Sequence, residues 1–219
     1  MTANDIILRA RDTLADPTGD RWSDDRLLRL LDEGHKTICY RAKALRSYVE
    51  IVVNPDQANY SMPIDFLYLT KALYNGDNLK ITSRESINST TYIDSLGTPT
   101  NIIVDKLNKG VVQLAPIPSF VENDPFDITK ANILGIYYAS EPQTISDLTD
   151  ILDLDDSYKP MLVKYVSGYA LRDDMDTQNR IFGNEEIAMF EGWLAKVTTD
   201  VSKDFTNHNR YEVTYKGFQ

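Results

Sequence analysis

The apolar residues change period twice along the chain, from helical spacing to strand alternation and back, and this order of periods limits the folds open to it. Near the start, Ile7, Ala10 and Leu14 recur at three- and four-residue steps over roughly 3–16, with Thr2 or Asn4 available as a cap. Pro17, Thr18 and Gly19 then break the pattern. Ser23 is placed to cap a second helix, and Asp24 and Asp25 in its first turn favour the helix dipole. Leu27, Leu31, Ile38, Ala42 and Leu45 keep helical spacing to about Arg46, with Gly34 and His35 completing the row. Arg26, Arg29, Lys36 and Lys43 occupy the other faces.

From about 48 to 140 the period shortens. A β-branched run containing Tyr48, Ile51 and Val53 ends at Asn54-Pro55-Asp56. The stretch Phe66 to Tyr74 leads into Asn75-Gly76 and then Leu79-Lys80-Ile81, a strong hairpin signal because Asn and Gly both tolerate positive φ. Thr82 and Glu85 match a capping box that would open a short helix over 83–92. Two further strands, Asn101–Lys106 and Val111–Leu114, flank a turn at Leu107-Asn108-Lys109-Gly110, and a last one covers Ile133–Ala139. Five or six short antiparallel strands predict a small sheet or sandwich.

The last third is helical again. Lys159-Pro160 suits a first helical turn, and Leu162, Val166, Tyr169 and Ala170 share a face up to about Asp173. After Asp173-Asp174-Met175-Asp176, Ile187, Phe190, Leu194, Val197 and Val201 mark the longest helix, which ends near Phe205 and is broadened by Trp193. Its start lies between Thr177 and Asn184, because Gly183 weakens the first turns. The tail from Thr206 to Gln219 is polar and then alternates through Tyr211, Val213 and Tyr215, with Phe218 near its end.

These periods predict an α+β chain. An N-terminal helical hairpin (1–47) and a C-terminal one (141–205) pack as an antiparallel four-helix bundle. A small antiparallel β-sheet or sandwich (48–140) is inserted between them, and 206–219 forms a C-terminal arm.

The chemistry-bearing residues are sparse. Cys39 is the single cysteine and His35 and His208 are the two histidines, so neither a disulfide within the chain nor a thiol- or imidazole-rich metal site is expected. No phosphate-binding glycine loop, dinucleotide fingerprint, nucleophile elbow or zinc-protease helix occurs. Cys39 and His35 lie four residues apart, but nothing in the sequence supplies an oxyanion hole or an orienting acid beside them. Asp153-Leu154-Asp155-Asp156 lacks the glycine and glutamate that a calcium loop needs. No catalytic, cofactor or metal residue is therefore assigned, and the chain is read as a non-enzyme.

A net charge of −10 argues against a general nucleic-acid binder, which requires a basic surface to displace counterions. An acidic wall is instead a surface that DNA can pass without sticking. The acid is concentrated in 141–158, which holds six carboxylates and no Lys or Arg. No apolar run reaches the roughly 20 residues of a membrane span. The opening residues lack the charged start and apolar block of a signal peptide, so synthesis in the cytoplasm is expected.

One block is more specific. Arg9, Ala10, Arg11, Leu14 and Asp16 follow the form R-A-R-x-x-L-x-D, Arg21-Trp22-Ser23-Asp24 comes next, and Leu27, Leu28, Leu31 and Gly34 continue it. This opening resembles that of podovirus-type phage head-to-tail adaptors, the connector or tail tubular protein A-like family. Asp32 departs from the asparagine that family often carries. Weaker echoes are Met62-Pro63-Ile64-Asp65-Phe66, the Asn75-Gly76 hairpin, Ser83-Arg84-Glu85, Val111–Pro118, and Tyr158-Lys159-Pro160 with Leu162, Val163, Tyr165, Ala170 and Leu171.

The resemblance implies a helical body with a β insertion, repeated in a dodecameric ring below the portal of a virion. Such a ring continues the channel for double-stranded DNA and gives a tail or nozzle protein its docking platform. It also implies portal protein and other copies of the chain as partners, with no cofactor and no membrane. Within that frame, Arg26, Arg29 and Lys36 on the second helix and Asp153, Asp155 and Asp156 in the acidic stretch are candidates to meet across subunits. Tyr211, Val213, Tyr215 and Phe218 are candidates for a subunit or portal contact through the arm.

Overall fold

The computed structural model describes residues 1–87, 90–104, 110–119 and 132–208. The chain divides into two compact units, one built from the sequence ends (Met1–Leu45 with Pro142–Gln219) and one from Arg46–Glu141.

In the first unit, α1 (Ala3–Leu14) and α2 (Asp24–Ala42) are followed, after the β unit, by α4 (Lys159–Arg172) and α5 (Thr177–His208). Thr2 caps α1 through a reciprocal box. Its hydroxyl accepts from the Asp5 amide, and the Asp5 carboxylate accepts from the Thr2 amide. Ser23 precedes α2 in an extended conformation without a side-chain cap bond, so the acidic first turn of Asp24 and Asp25 favours the dipole there. Pro160 lies in the first turn of α4, where its missing N–H costs nothing.

One apolar core joins these helices. Ile6, Ile7 and Ala10 of α1, Leu27, Leu31 and Ile38 of α2, Leu162 and Val166 of α4, and Phe190 and Leu194 of α5 are buried together. Helix α4 touches each of the other three. Two glycines set how closely. A methyl group at Gly34 would lie 2.7 Å from the Tyr165 ring, and one at Gly183 would lie 2.5 Å from the Arg172 backbone nitrogen. Helix α5 starts at Thr177 with Gly183 inside it, and that glycine lies close against the α4 backbone.

The acidic stretch is bound into this unit. Its carbonyls at Leu148 and Asp150 accept the Asn4 and Ala3 amides, which would otherwise be orphan donors at the start of α1. Leu152 donates back to the Met1 carbonyl, and the Met1 ammonium pairs with Asp156 at 3.2 Å. Ile145, Leu152 and Leu154 are buried in the helical core. Asp150 accepts from the Ser146 and Asp147 amides, and those bonds hold its carboxyl below the usual range.

The second unit contains β1 (Arg46–Val52), β2 (Asn59–Ser61), β3 (Phe66–Tyr74), β4 (Asp77–Asn78), β5 (Lys80–Thr82), α3 (Thr90–Ile93), β6 (Leu96–Gly97), β7 (Asn101–Val104), β8 (Val111–Ala115), β9 (Ile117–Pro118) and β10 (Ile133–Ser140). The strands form sheets in the orders β1-β10-β3-β4 and β2-β8-β7-β5, with a small pair β6-β9. The two larger sheets share a core that includes Leu69, Ile102, Leu114, Leu134 and Ile136. The Asn75-Gly76 turn takes positive φ at both residues, as the hairpin signal predicts. The return strand it leads into is β4, however, whereas Lys80 and Ile81 of the expected return strand belong to β5 in the other sheet.

Two further details depart from the sequence reading. The β region is not wholly antiparallel, since β5 pairs with β7 and β6 with β9 in parallel. Parallel pairing needs a crossover, and residues 83–100 provide one between β5 and β7. The capping box lies one residue later than Thr82 and Glu85: Ser83 and Ser86 exchange side-chain and backbone bonds around a short turn at Arg84–Ser86. Serine at both positions reaches the backbone with one short arm, which competes successfully with the longer Glu85. The expected turn at 107–110 falls outside the described residues except for Gly110.

Candidate functional site

The residues of the specific N-terminal block form one polar corner. Arg11 and Asp16 are both only 6% exposed, and the guanidinium donates to the Asp16 carboxylate at 3.2 Å and to its carbonyl at 3.3 Å. The same guanidinium pairs with Asp24 at the start of α2. The Asp16 carboxylate accepts the amides of Asp20 and Trp22 at 3.0 Å each, and of Arg21 at 3.4 Å. Burial pushes the Asp16 carboxyl up, but these backbone donors and Arg11 outweigh it, so it titrates below the usual range.

The α1–α2 connection is thus wrapped around two ionised side chains. Gly19 has φ +78°, and a methyl group there would lie 2.9 Å from the Arg11 guanidinium. Trp22 is 3% exposed, with the Arg21 guanidinium over its ring at 4.7 Å. Arg21 also pairs with Asp174, and Arg26 with Asp173 at 3.3 Å, so the corner is tied to the turn between α4 and α5. The side-chain amide of Asn179 and the Arg21 guanidinium hold the Asp174 carboxyl down to about 2.

Of the residues expected to meet across subunits, most already have partners in their own chain. Arg26 pairs with Asp173, and Lys36 with Asp32 one helical turn away at 2.7 Å. The Arg29 side chain donates to the Asp25 carbonyl and is exposed. Asp153 accepts from the Gln143 amide, and Asp155 caps a short turn through the Ser157 amide. Asp156 pairs with the chain's ammonium terminus, its side chain 78% exposed. The basic and acidic candidates do not pair with one another within the chain, among the described residues. Tyr211, Val213, Tyr215 and Phe218 lie outside the described residues.

A cleft of about 540 Å³ opens between Asp25, Arg29, Asp32 and Glu33 of α2 and residues 144–146. It has one cation and three carboxylates on its helical wall, and Asp32 already binds the Ile145 amide at 2.9 Å. Among the described residues there is no cluster of side chains able to hold a metal ion. No described helix is long and apolar enough to cross a membrane.

His35 and Cys39 are both in the core rather than in a cleft. Cys39 is 1% exposed, and burial with nearby Asp153 pushes its thiol up to about 12, which removes nucleophilic character. His35 is fully buried, and neither imidazole nitrogen has a hydrogen-bond partner among the described residues. Burial holds it below the ordinary histidine value, although Asp153 and Asp32 oppose that shift. A base depressed in this way binds its proton more readily in the unfolded chain. Its contribution to stability is present above about pH 6.5 and is lost as pH falls below that value. His35→Leu is expected to flatten the fall in melting temperature between pH 7.5 and 5.5. An unchanged pH slope would place the acid sensitivity elsewhere.

The geometry so far is that of a structural corner and a packed core. The family model for the SU10 adaptor protein matches residues 1–210. The chain belongs to that family. No curated protein matches the chain.

As an SU10 adaptor family member the chain is a structural adaptor of a phage particle, in agreement with the resemblance of its opening block. The block's polar residues, Arg11, Asp16, Arg21 and Asp24, join the ends of the adaptor's helices to one another. Their spacing alone did not reveal that role. The visible signal was an arginine on a helix and an aspartate five residues on, just past its end, beside apolar neighbours, a pattern shared with many solvated helix ends.

Proposed function

We propose that the chain is a head-to-tail adaptor that assembles as a dodecameric ring below the portal, continues the DNA channel, and gives the tail or nozzle protein its docking platform. Membership of the SU10 adaptor family, matched over residues 1–210, carries this reading. In it the four long helices work as an antiparallel bundle forming the ring's body, and the β unit is an insertion. The net charge of −10 suits a channel along which DNA slides without being held.

A rotational ring joins two different faces of the same subunit, so each copy must present complementary patches. Arg26 and Lys36 are occupied by Asp173 and Asp32, which leaves Arg29 as the basic candidate on α2. Asp153 and Asp155 serve their own loop, which leaves Asp156 as the most exposed acidic candidate. Opposite charges at such a seam set register and partner choice more than affinity.

Mass photometry of the full chain, alone and with purified portal, tests the reading. Rings that bind portal are expected; a chain that stays monomeric and never binds portal would end it. Arg29→Glu is expected to reduce ring formation, and the double charge swap Arg29→Glu with Asp156→Lys to restore it. Equal assembly in all three proteins would leave both residues as solvated surface.

A further inference from the structure

We infer that two copies of this chain dimerise through the outer face of α5, the two helices packing antiparallel about a two-fold axis. The inner side of α5 serves its own helical unit, where Phe190, Leu194 and Val197 join the core. A second row runs along the same helix: Phe182, Glu185, Met189, Gly192, Lys196 and Thr199 recur at alternating steps of three and four. That repeat keeps one face of a helix turned towards a partner helix. At 3.6 residues per turn the six positions span about 100° of the helix, on the side away from Leu194.

All six residues are exposed, Phe182 at 49% and Met189 at 55%, and exposed Ile181 and Ala188 flank them. A surface helix that only covers its own core carries one apolar stripe. A second stripe with large exposed side chains marks a contact with another molecule. A methyl group at Gly192 would meet nothing within 4 Å, so among the described residues the row also contains a gap. Neither Glu185 nor Lys196 pairs with a charge of its own chain, among the described residues.

The row is complementary to itself when reversed, and this names the occupant as a second copy. With Met189 of one helix opposite Gly192 of the other, antiparallel order brings Glu185 opposite Lys196 and Phe182 opposite Thr199, each pair twice by symmetry. The flexible methionine fills the gap at the glycine, and the two charge pairs fix the direction. A parallel pair in register would instead set Glu185 against Glu185 and Lys196 against Lys196. The contact is about 26 Å long and one helix face wide, so the dimer depends on concentration. It goes beyond the ring reading: a rotational ring joins two different faces, whereas this contact joins one face to itself, and either can fail without the other.

Two measurements on the full chain without portal test the contact, both at exposed positions that leave the fold intact. Cys39 is buried, so it does not compete with Met189→Cys and Gly192→Cys. Under mild oxidation, an equal mixture of these two variants is expected to give a disulfide-linked heterodimer faster than either alone gives a homodimer. In sedimentation equilibrium, Glu185→Lys and Lys196→Glu are each expected to raise the dimer dissociation constant about tenfold. Mixing these two proteins, or combining both changes in one chain, is expected to restore it. No preferential crosslink, unchanged dissociation constants in the single variants, or no recovery in the mixture and the double variant overturns the contact. A chain that stays monomeric without portal yet forms rings on it overturns the dimer and leaves the ring reading standing.

Discussion

Truncating Arg11 to alanine is expected to destabilise the helical unit by about 3–5 kcal/mol, the range for removing one member of a buried ion pair. The side chain is 8% exposed and pairs with both Asp16 and Asp24. Without it, Asp16 stays enclosed and keeps its three amide donors but loses the guanidinium that pairs with it. The loss is large against the roughly 5–15 kcal/mol that holds a typical domain together. Arg11→Lys should recover only part of it, because an ammonium is a point charge and cannot present the planar fork that spans both carboxylates. Both tryptophans, Trp22 and Trp193, lie in the helical unit, so their fluorescence in a urea titration reports on that unit alone. A loss under about 1 kcal/mol would mean that the corner behaves as a solvated surface pair.

Gly183→Ala is expected to be the most damaging addition of a single methyl group, at about 3 kcal/mol, the upper part of the range for overpacking. The new methyl would stand 2.5 Å from the Arg172 nitrogen and 2.7 Å from the Gly168 carbonyl. Both obstacles are backbone, so no side chain can rotate away and α5 must move off α4. Gly192→Ala on the same helix is the matched control. Nothing lies within 4 Å of a methyl there, and the change should stabilise by up to about 1 kcal/mol through helix propensity. Thermal melts followed by the same two tryptophans give both signs. Equal effects at the two positions would show that the close α4–α5 approach is not what Gly183 serves.

Two sources of acid sensitivity in this unit, His35 and Asp174, separate on the pH scale. The stability that neutral, buried His35 contributes is lost as pH falls below about 6.5, because the unfolded chain takes up the proton first. Asp174, held down to about 2, contributes stability that is present above the ordinary carboxylate range and lost only as pH falls towards that value. The histidine effect therefore comes first on acidification, and the Arg21–Asp174 tie between the two helical connections fails later.

Helix and strand periods are local, and they carried much of the architecture. The rows Ile7–Ala10–Leu14 and Leu27–Leu31–Ile38 place the buried faces of α1 and α2, because a repeat of three to four residues on a helix leaves one apolar stripe that must be covered. The alternation through β1 and the Asn75-Gly76 turn are legible for the same reason. The resemblance of the N-terminal block pointed to the family that the match over residues 1–210 then showed.

What the tertiary structure alone decided is where polar and small residues meet partners far away in sequence. Arg11 reads as one more charged helix position until Asp16 and Asp24 are brought around it. Gly183 reads as a weak helix former, and only the backbone of α4 explains its presence inside α5. The acidic stretch 141–158 reads as solvated chain, yet its carbonyls complete the start of α1. The parallel pairings of β5 and β6 are also invisible locally, since a strand's own pattern does not say in which direction its neighbour runs. A hydrophobic period declares which face must be buried, but ion pairs, close backbone approaches and strand direction are properties of two segments at once, and they exist only after the chain has folded.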